Sequence, residues 1–281
     1  MAVIERIMDG KPVRYYIHKW TIRQLDTIKK LISKKDRDYV IVVDGEEGSG
    51  KSTLACQMAK YVDPSFTEDR MCLRPEDFME KINQAKKGQA VVFDEAYTGL
   101  GSRSSLTVVN KMMVEMMMEM RQKNLFIIMC VPSVFYLERY VALHRARALF
   151  HVFFSGGRPG NFRPYNQAKL KWLYLVGKQK MSYYEPKVRT VGRFPATPVI
   201  NWEKYNNKKL RALKTKETNK TLVKQTQQRD ALFHELKKYH GYTVKDIRKA
   251  LRDRGLDSTN SIVYEGIKRF EDMPKTLVNP N

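Results

Sequence analysis

Residues 39–53 read YVIVVDGEEGSGKST, and the order of residue types in this stretch decides the fold. The run Tyr39-Val-Ile-Val-Val43 is apolar and mostly β-branched, the pattern of a strand buried on both faces. It breaks at Asp44-Gly45. The segment Gly45-Glu46-Glu47-Gly48-Ser49-Gly50-Lys51-Ser52 then fits G-x-x-x-x-G-K-[ST] at every position, and Ser52 to Val62 reads as a helix closed by Asp63-Pro64. Strand, glycine-rich turn and helix in that order form a cradle for phosphates. Glycines let backbone N–H groups face an anion that a side chain would hold off. The helix N-terminus adds partial positive charge. In such a cradle Lys51 reaches the β- and γ-phosphates, the Ser52 hydroxyl ligates Mg²⁺, and Thr53 touches the α-phosphate more weakly. The reading implies ATP and Mg²⁺.

A second stretch completes the pattern. Val91-Val-Phe-Asp94-Glu95 is an apolar strand ending in two acids, which places both carboxylates at the C-terminal edge of a sheet, where ligands of open α/β sheets bind. Asp94 would hold Mg²⁺ through water. Glu95 would orient and polarise an attacking water. A carboxylate pair here favours water as the acceptor over the hydroxyl of a small-molecule kinase substrate. Leu125 to Val131 is a third buried strand, and Cys130 and Ser133 are the candidates near its end for a polar group that senses the γ-phosphate.

Working outward, short apolar strands alternate with helices, which predicts an α/β fold with a mainly parallel sheet covered by helices. Thr21 to Lys34 is an amphipathic helix, and a helix opening at Arg74-Pro75 runs to about Lys87. A strand over Gln89–Phe93, a long helix over Ser105–Lys123, a helix from Pro132 to Leu143 and a strand near Ala148–Phe154 follow. Leu170 to Val176 reads as a strand of a hairpin, and residues 181–203 as irregular. The expected organisation is an ATPase domain over residues 1–200 with its core at about 38–155, a basic linker or basic helix at 201–224, and a small all-α helix-turn-helix domain at 225–281.

Composition narrows the class. The chain of 281 residues is 42% apolar, enough for a core, so wholesale disorder is excluded. Its 52 Lys and Arg against 30 Asp and Glu give +22, which calls for an anionic partner, nucleic acid above all. Three separated cysteines make neither a disulfide framework nor a zinc cluster. The methionines between Met112 and Met120 lie at helical spacing without Cys or His, an apolar surface rather than a metal site. No run is long enough to span a membrane, and the N-terminal residues lack the apolar stretch of a signal peptide. A cytoplasmic protein with no membrane partner is expected.

GEEGSGKS, VVFDEA, the helix ending Met120-Arg121-Gln-Lys-Asn and the strand leading into Val131-Pro132-Ser133 together resemble the FtsK/HerA branch of P-loop ATPases, with the zonular occludens toxin-like and viral packaging ATPases near it. The resemblance covers about residues 38–155. It implies a ring, usually hexameric, that couples ATP hydrolysis to DNA translocation or genome packaging in a virus or mobile element, where the compartment is the host cytoplasm. An ATP-regulated loader for transposition or replication is the alternative. The family commonly has Gln where this chain has Cys130. Ring ATPases supply a cation from a neighbouring subunit to neutralise transition-state charge. Arg121, Arg139 and Arg145 are candidates, and Arg121 fits the family best.

In the C-terminal segment, helices are expected over Gln225–Tyr239 and Tyr242–Leu251. A third, capped by Asp257 or Ser258, turns Ile262, Val263, Ile267 and Phe270 inward. As a recognition helix it would present Thr259, Asn260, Ser261, Tyr264 and Lys268 to DNA. Residues 201–281 carry +9 of the total charge, so the ATPase part is basic as well.

Overall fold

The computed structural model describes residues 2–35, 37–94, 123–188, 190–253 and 259–272, with the backbone alone over 213–224. The chain divides into two compact units, Met1–Ala212 and Leu213–Asn281. In the first, an antiparallel hairpin of β1 (Ala2–Met8) and β2 (Lys11–Ile17) turns at Asp9 and Gly10, both at positive φ. Helix α1 (Lys19–Lys34) follows. The main further elements among the described residues of this unit are β3 (Tyr39–Gly45), α2 (Lys51–Val62), β4 (Met71–Cys72), α3 (Pro75–Gln84), β5 (Ala90–Asp94), β6 (Phe126–Val131), β7 (Ala146–Ser155), β8 (Arg158–Asn166), α4 (Gln167–Trp172), β9 (Gly192–Arg193) and the start of α5 (Trp202–His240).

The sheet has the order β4-β5-β6-β3-β7-β8-β9. It is parallel from β4 through β7, and β8 and β9 add antiparallel. Both faces are covered, which is why β3 and β6 carry no polar alternation. Ile41 and Val43 pack under α1 and α2 with Leu25, Ile28 and Leu54. Val40 and Val42 face the other layer with Phe78, Phe93 and Leu170. The fold is thus mixed α/β with a mostly parallel sheet flanked by helices, compatible with a P-loop NTPase-like architecture.

Two local expectations are corrected. Pro132 to Leu143 is not a helix: a short 3-10 turn, Val134–Tyr136, and a π-helical turn, Val141–Arg145, occupy it. The Val134 N–H donates to the Asp44 carboxylate at 2.8 Å, so a nonlocal partner holds the backbone there. Leu170 to Val176 is not a strand but the end of α4 and a π-helical turn, Leu173–Gly177, with Leu170, Leu173 and Tyr174 buried at helical spacing. Of the two readings of the basic segment, linker or helix, the backbone is helical, as part of α5. The long helix expected over Ser105–Lys123, with its methionines, lies outside the described residues except for Lys123.

The second unit contains the C-terminal part of α5, α6 (Val244–Arg252) and α7 (Asn260–Glu271). Phe233, Ile247, Val263 and Ile267 form its core. A Cβ at Gly266 would lie 2.7 Å from Asp230 Oδ1, so glycine sets the close approach of α7 to α5. Asp230 is buried and accepts from both Arg229 and Arg269. Ile262, expected inward, is 39% exposed.

Candidate nucleotide site

The glycine-rich loop connects β3 to α2 at the C-terminal edge of the parallel strands. Gly45 has φ +140°, and a Cβ on it would come within 2.0 Å of the Val152 carbonyl oxygen on β7. No other residue fits that approach. The loop is also held from outside and within: Gly160 N–H on β8 donates to the Ser49 carbonyl at 3.2 Å, and inside the loop the Ser49 hydroxyl donates to the Glu46 carbonyl at 2.7 Å. Gly50, at φ +101°, caps α2, so the first amides of that helix open into the loop.

The Lys51 ammonium folds back and donates to the carbonyls of Gly45 at 2.8 Å and Glu46 at 2.7 Å. Burial pulls it below the ordinary lysine value, against the opposing pull of nearby acidic groups. β6 lies between β3 and β5, so the acidic strand is not a direct neighbour of the loop strand. Ser52 spans the gap, its hydroxyl donating to Asp94 Oδ2 at 2.7 Å. A pocket of about 490 Å³ opens here, lined by Glu47, Gly48, Gly50, Lys51, Ser52, Thr53, Asp94 and Cys130 from the expected set. A hydroxyl and a carboxylate in contact beside the loop are a donor set that suits Mg²⁺, which is held by few protein oxygens and completes its shell with phosphate and water. Glu95 and Arg121 lie outside the described residues.

Of the two sensor candidates, Cys130 lines the pocket, paired in register with Asp94 on one side and Val43 on the other. Ser133 is directed elsewhere. Its hydroxyl bonds the Tyr183 hydroxyl at 2.8 Å, and Tyr183 donates to the fully buried Asp44. His151 Nδ1 contacts the other Asp44 oxygen at 2.9 Å and stacks on Tyr183. This network anchors the residue immediately before the loop. Arg145 is corrected as a candidate for action on a neighbour. It is buried and paired with Asp38, ahead of β3 at the opposite edge of the sheet, so its charge is already neutralised. Arg139 is exposed.

Sequence comparison is silent: no family model matches the chain, and no curated protein matches it. Among solved structures, the N-terminal domain of zonular occludens toxin from Neisseria meningitidis is similar at 14% identity and a TM-score of 0.29, covering 46% of this chain and 84% of that one. The reading of the site therefore rests on its own geometry.

That geometry includes residues outside the motifs. Trp202 and Lys209 line the same pocket. Tyr205, 2% exposed, donates its hydroxyl to Asp94 Oδ2, the oxygen that also accepts from Ser52. Burial, and then Asp94 itself, push the Tyr205 phenol well above its ordinary value, so it remains a donor. The available signal was an aromatic pair, Trp202 and Tyr205, at helical spacing where the basic segment begins. In the second unit, the five outward residues of α7 do not behave alike. Asn260, Tyr264 and Lys268 are exposed. Thr259 is the N-cap, accepting from Ile262 N–H, and Ser261 donates to Glu265 at 2.8 Å. Those two hydroxyls are engaged within the helix. No helix among the described residues is long and apolar enough to cross a membrane.

Proposed function

We propose that the chain is a magnesium-dependent ATPase that couples hydrolysis to the movement of duplex DNA, as a translocase or genome-packaging motor of a virus or mobile element. The observation that carries the ATPase reading is the convergence of Lys51, Ser52 and Asp94 on one pocket at the N-terminus of α2. Loop amides and the helix terminus bind the phosphates. The Lys51 ammonium leaves its two loop carbonyls for the β- and γ-phosphates. Ser52 and Asp94 would hold the divalent cation, which supplies charge neutralisation on the phosphates. Glu95, next in the chain after Asp94, orients the attacking water and draws off its proton. Arg121 from a neighbouring subunit completes the site in a ring.

Basic charge supports DNA as the partner, since phosphate contacts dominate such binding. In this reading α7 is the recognition helix of a helix-turn-helix. In the loader alternative the same pocket binds ATP, and ATP controls assembly on DNA rather than pulling it. The test is phosphate release with and without duplex DNA, together with displacement of a third strand from that duplex. A motor hydrolyses faster on DNA and strips the third strand. Turnover indifferent to DNA, with no displacement, contradicts the motor; slow turnover with ATP-dependent assembly on DNA favours the loader.

A further inference from the structure

Trp202, Tyr205 and Lys209 are spaced three and four residues apart, so they share one face of α5. That face closes the nucleotide pocket: Trp202 and Lys209 line it, and Tyr205 reaches the carboxylate on its floor. The start of the helix is firmly seated within the first unit. Lys208 Nζ donates to the Met71 carbonyl at 2.6 Å, Lys204 pairs with Glu68 at 3.5 Å, and the Trp202 and Tyr205 rings meet edge to face at 5.2 Å. Asn201 caps the turn by accepting from Lys204 N–H at 3.1 Å. The segment before it is fixed too, with Gln57 of α2 donating to the carbonyls of Pro195 and Thr197, and Phe194 lying against Gly50.

We propose that the first two turns of α5 are a wall of the nucleotide site that responds to the cation: Tyr205 holds Asp94 when the site is empty and gives way when a magnesium-nucleotide complex binds, while Lys209 offers a cation to the phosphates. The inference rests on the ATPase reading above. Its basis is a competition at one atom. Asp94 Oδ2 accepts from both Ser52 and Tyr205. Ser52 is required beside the cation, so Tyr205 is the donor whose bond opposes loading. A neutral phenol and a hydrated divalent cation draw on the same carboxylate charge, and strengthening one contact weakens the other. Nucleotide without the cation makes no such demand on Asp94. Displacing Tyr205 also disturbs the Trp202 ring against it, which provides an optical signal.

The test compares full-length protein with Tyr205→Phe, Lys209→Gln and Trp202→Phe, using ADP and a non-hydrolysable ATP analogue with and without Mg²⁺ and following heat release and tryptophan fluorescence. Tyr205→Phe should bind the magnesium complex about tenfold more tightly, with its affinity for magnesium-free nucleotide unchanged. Lys209→Gln should weaken both. Parent protein should show a larger fluorescence change when Mg²⁺ accompanies the nucleotide than with nucleotide alone, and Trp202→Phe should lose that magnesium-dependent part although Trp20 and Trp172 remain. Equal or weaker magnesium-nucleotide binding by Tyr205→Phe, at an unchanged melting temperature, overturns the proposal. So does a magnesium-dependent signal that survives in Trp202→Phe. Failure of the parent protein to bind nucleotide at all is a different result, and it removes the ATPase reading itself.

Discussion

Asp94 and Glu95 are adjacent in the chain but do different work in the proposed mechanism. Asp94, buried and bonded to Ser52, is assigned to the cation. Glu95 is assigned to water. Glu95→Gln keeps the size of the side chain and removes the charge that polarises water, so it should bind ATP as the parent does and lower turnover by about 10²-fold or more. Single-turnover phosphate release checks this, and release at the parent rate would show that another group orients the water. Lys51 shows a related division of labour. The neutral carbonyls of Gly45 and Glu46 hold its ammonium, and in the proposed mechanism the anionic phosphates take it from them.

Among the secondary-structure elements, the junction between α2 and β5 is held by one carboxylate. Asp63 accepts from Ser65 N–H and hydroxyl, from Ala90 N–H at 2.9 Å, and from Arg70. Burial alone would push its pKa up, but these hydrogen bonds and the Arg70 charge hold it below the ordinary aspartate value. A depressed carboxylate stabilises the fold above its unfolded pKa and loses that contribution as pH falls through the folded value. Asp63→Asn should therefore cost about 2 kcal/mol at pH 7. The cost should shrink progressively as pH falls below the ordinary aspartate range, as measured by urea unfolding at several pH values. A cost independent of pH would show that the charge on Asp63 is immaterial. The elements legible in the sequence are those whose pattern is local and strong. Tyr39–Val43 and Leu125–Val131 are buried on both faces, and α1 shows a single apolar stripe. The β1–β2 hairpin is not among the sequence expectations, although Asp9-Gly10 between two alternating segments is a hairpin signature. Leu170–Val176 reads wrongly as a strand because a short apolar run does not by itself separate a strand from a buried helical turn. In the site, the loop residues and Asp94 can be read from spacing. Tyr205 cannot, since its role depends on a partner 111 residues earlier in the chain.

At the scale of the whole molecule, the charge of +22 is shared between residues 1–200 and the C-terminal segment, so if DNA is the partner, its affinity should fall log-linearly with salt. If α7 meets DNA, Lys268→Ala should weaken binding to every sequence and flatten the salt slope by about one unit, whereas Asn260→Ala should change the ranking among sequences. Filter binding across a salt series and a randomised duplex pool reads both effects. No change in either variant would make the second unit a protein-contact module and strengthen the loader reading. The proposed motor depends on the pocket between the glycine loop and Asp94 being an ATP-hydrolysing site. Steady-state phosphate release from ATP, measured with and without Mg²⁺ for the parent and for Lys51→Ala, tests that most directly. The expected result is hydrolysis that requires Mg²⁺ and is abolished in Lys51→Ala, while the variant keeps its fold by circular dichroism. Hydrolysis by a folded Lys51→Ala at the parent rate would contradict the assignment.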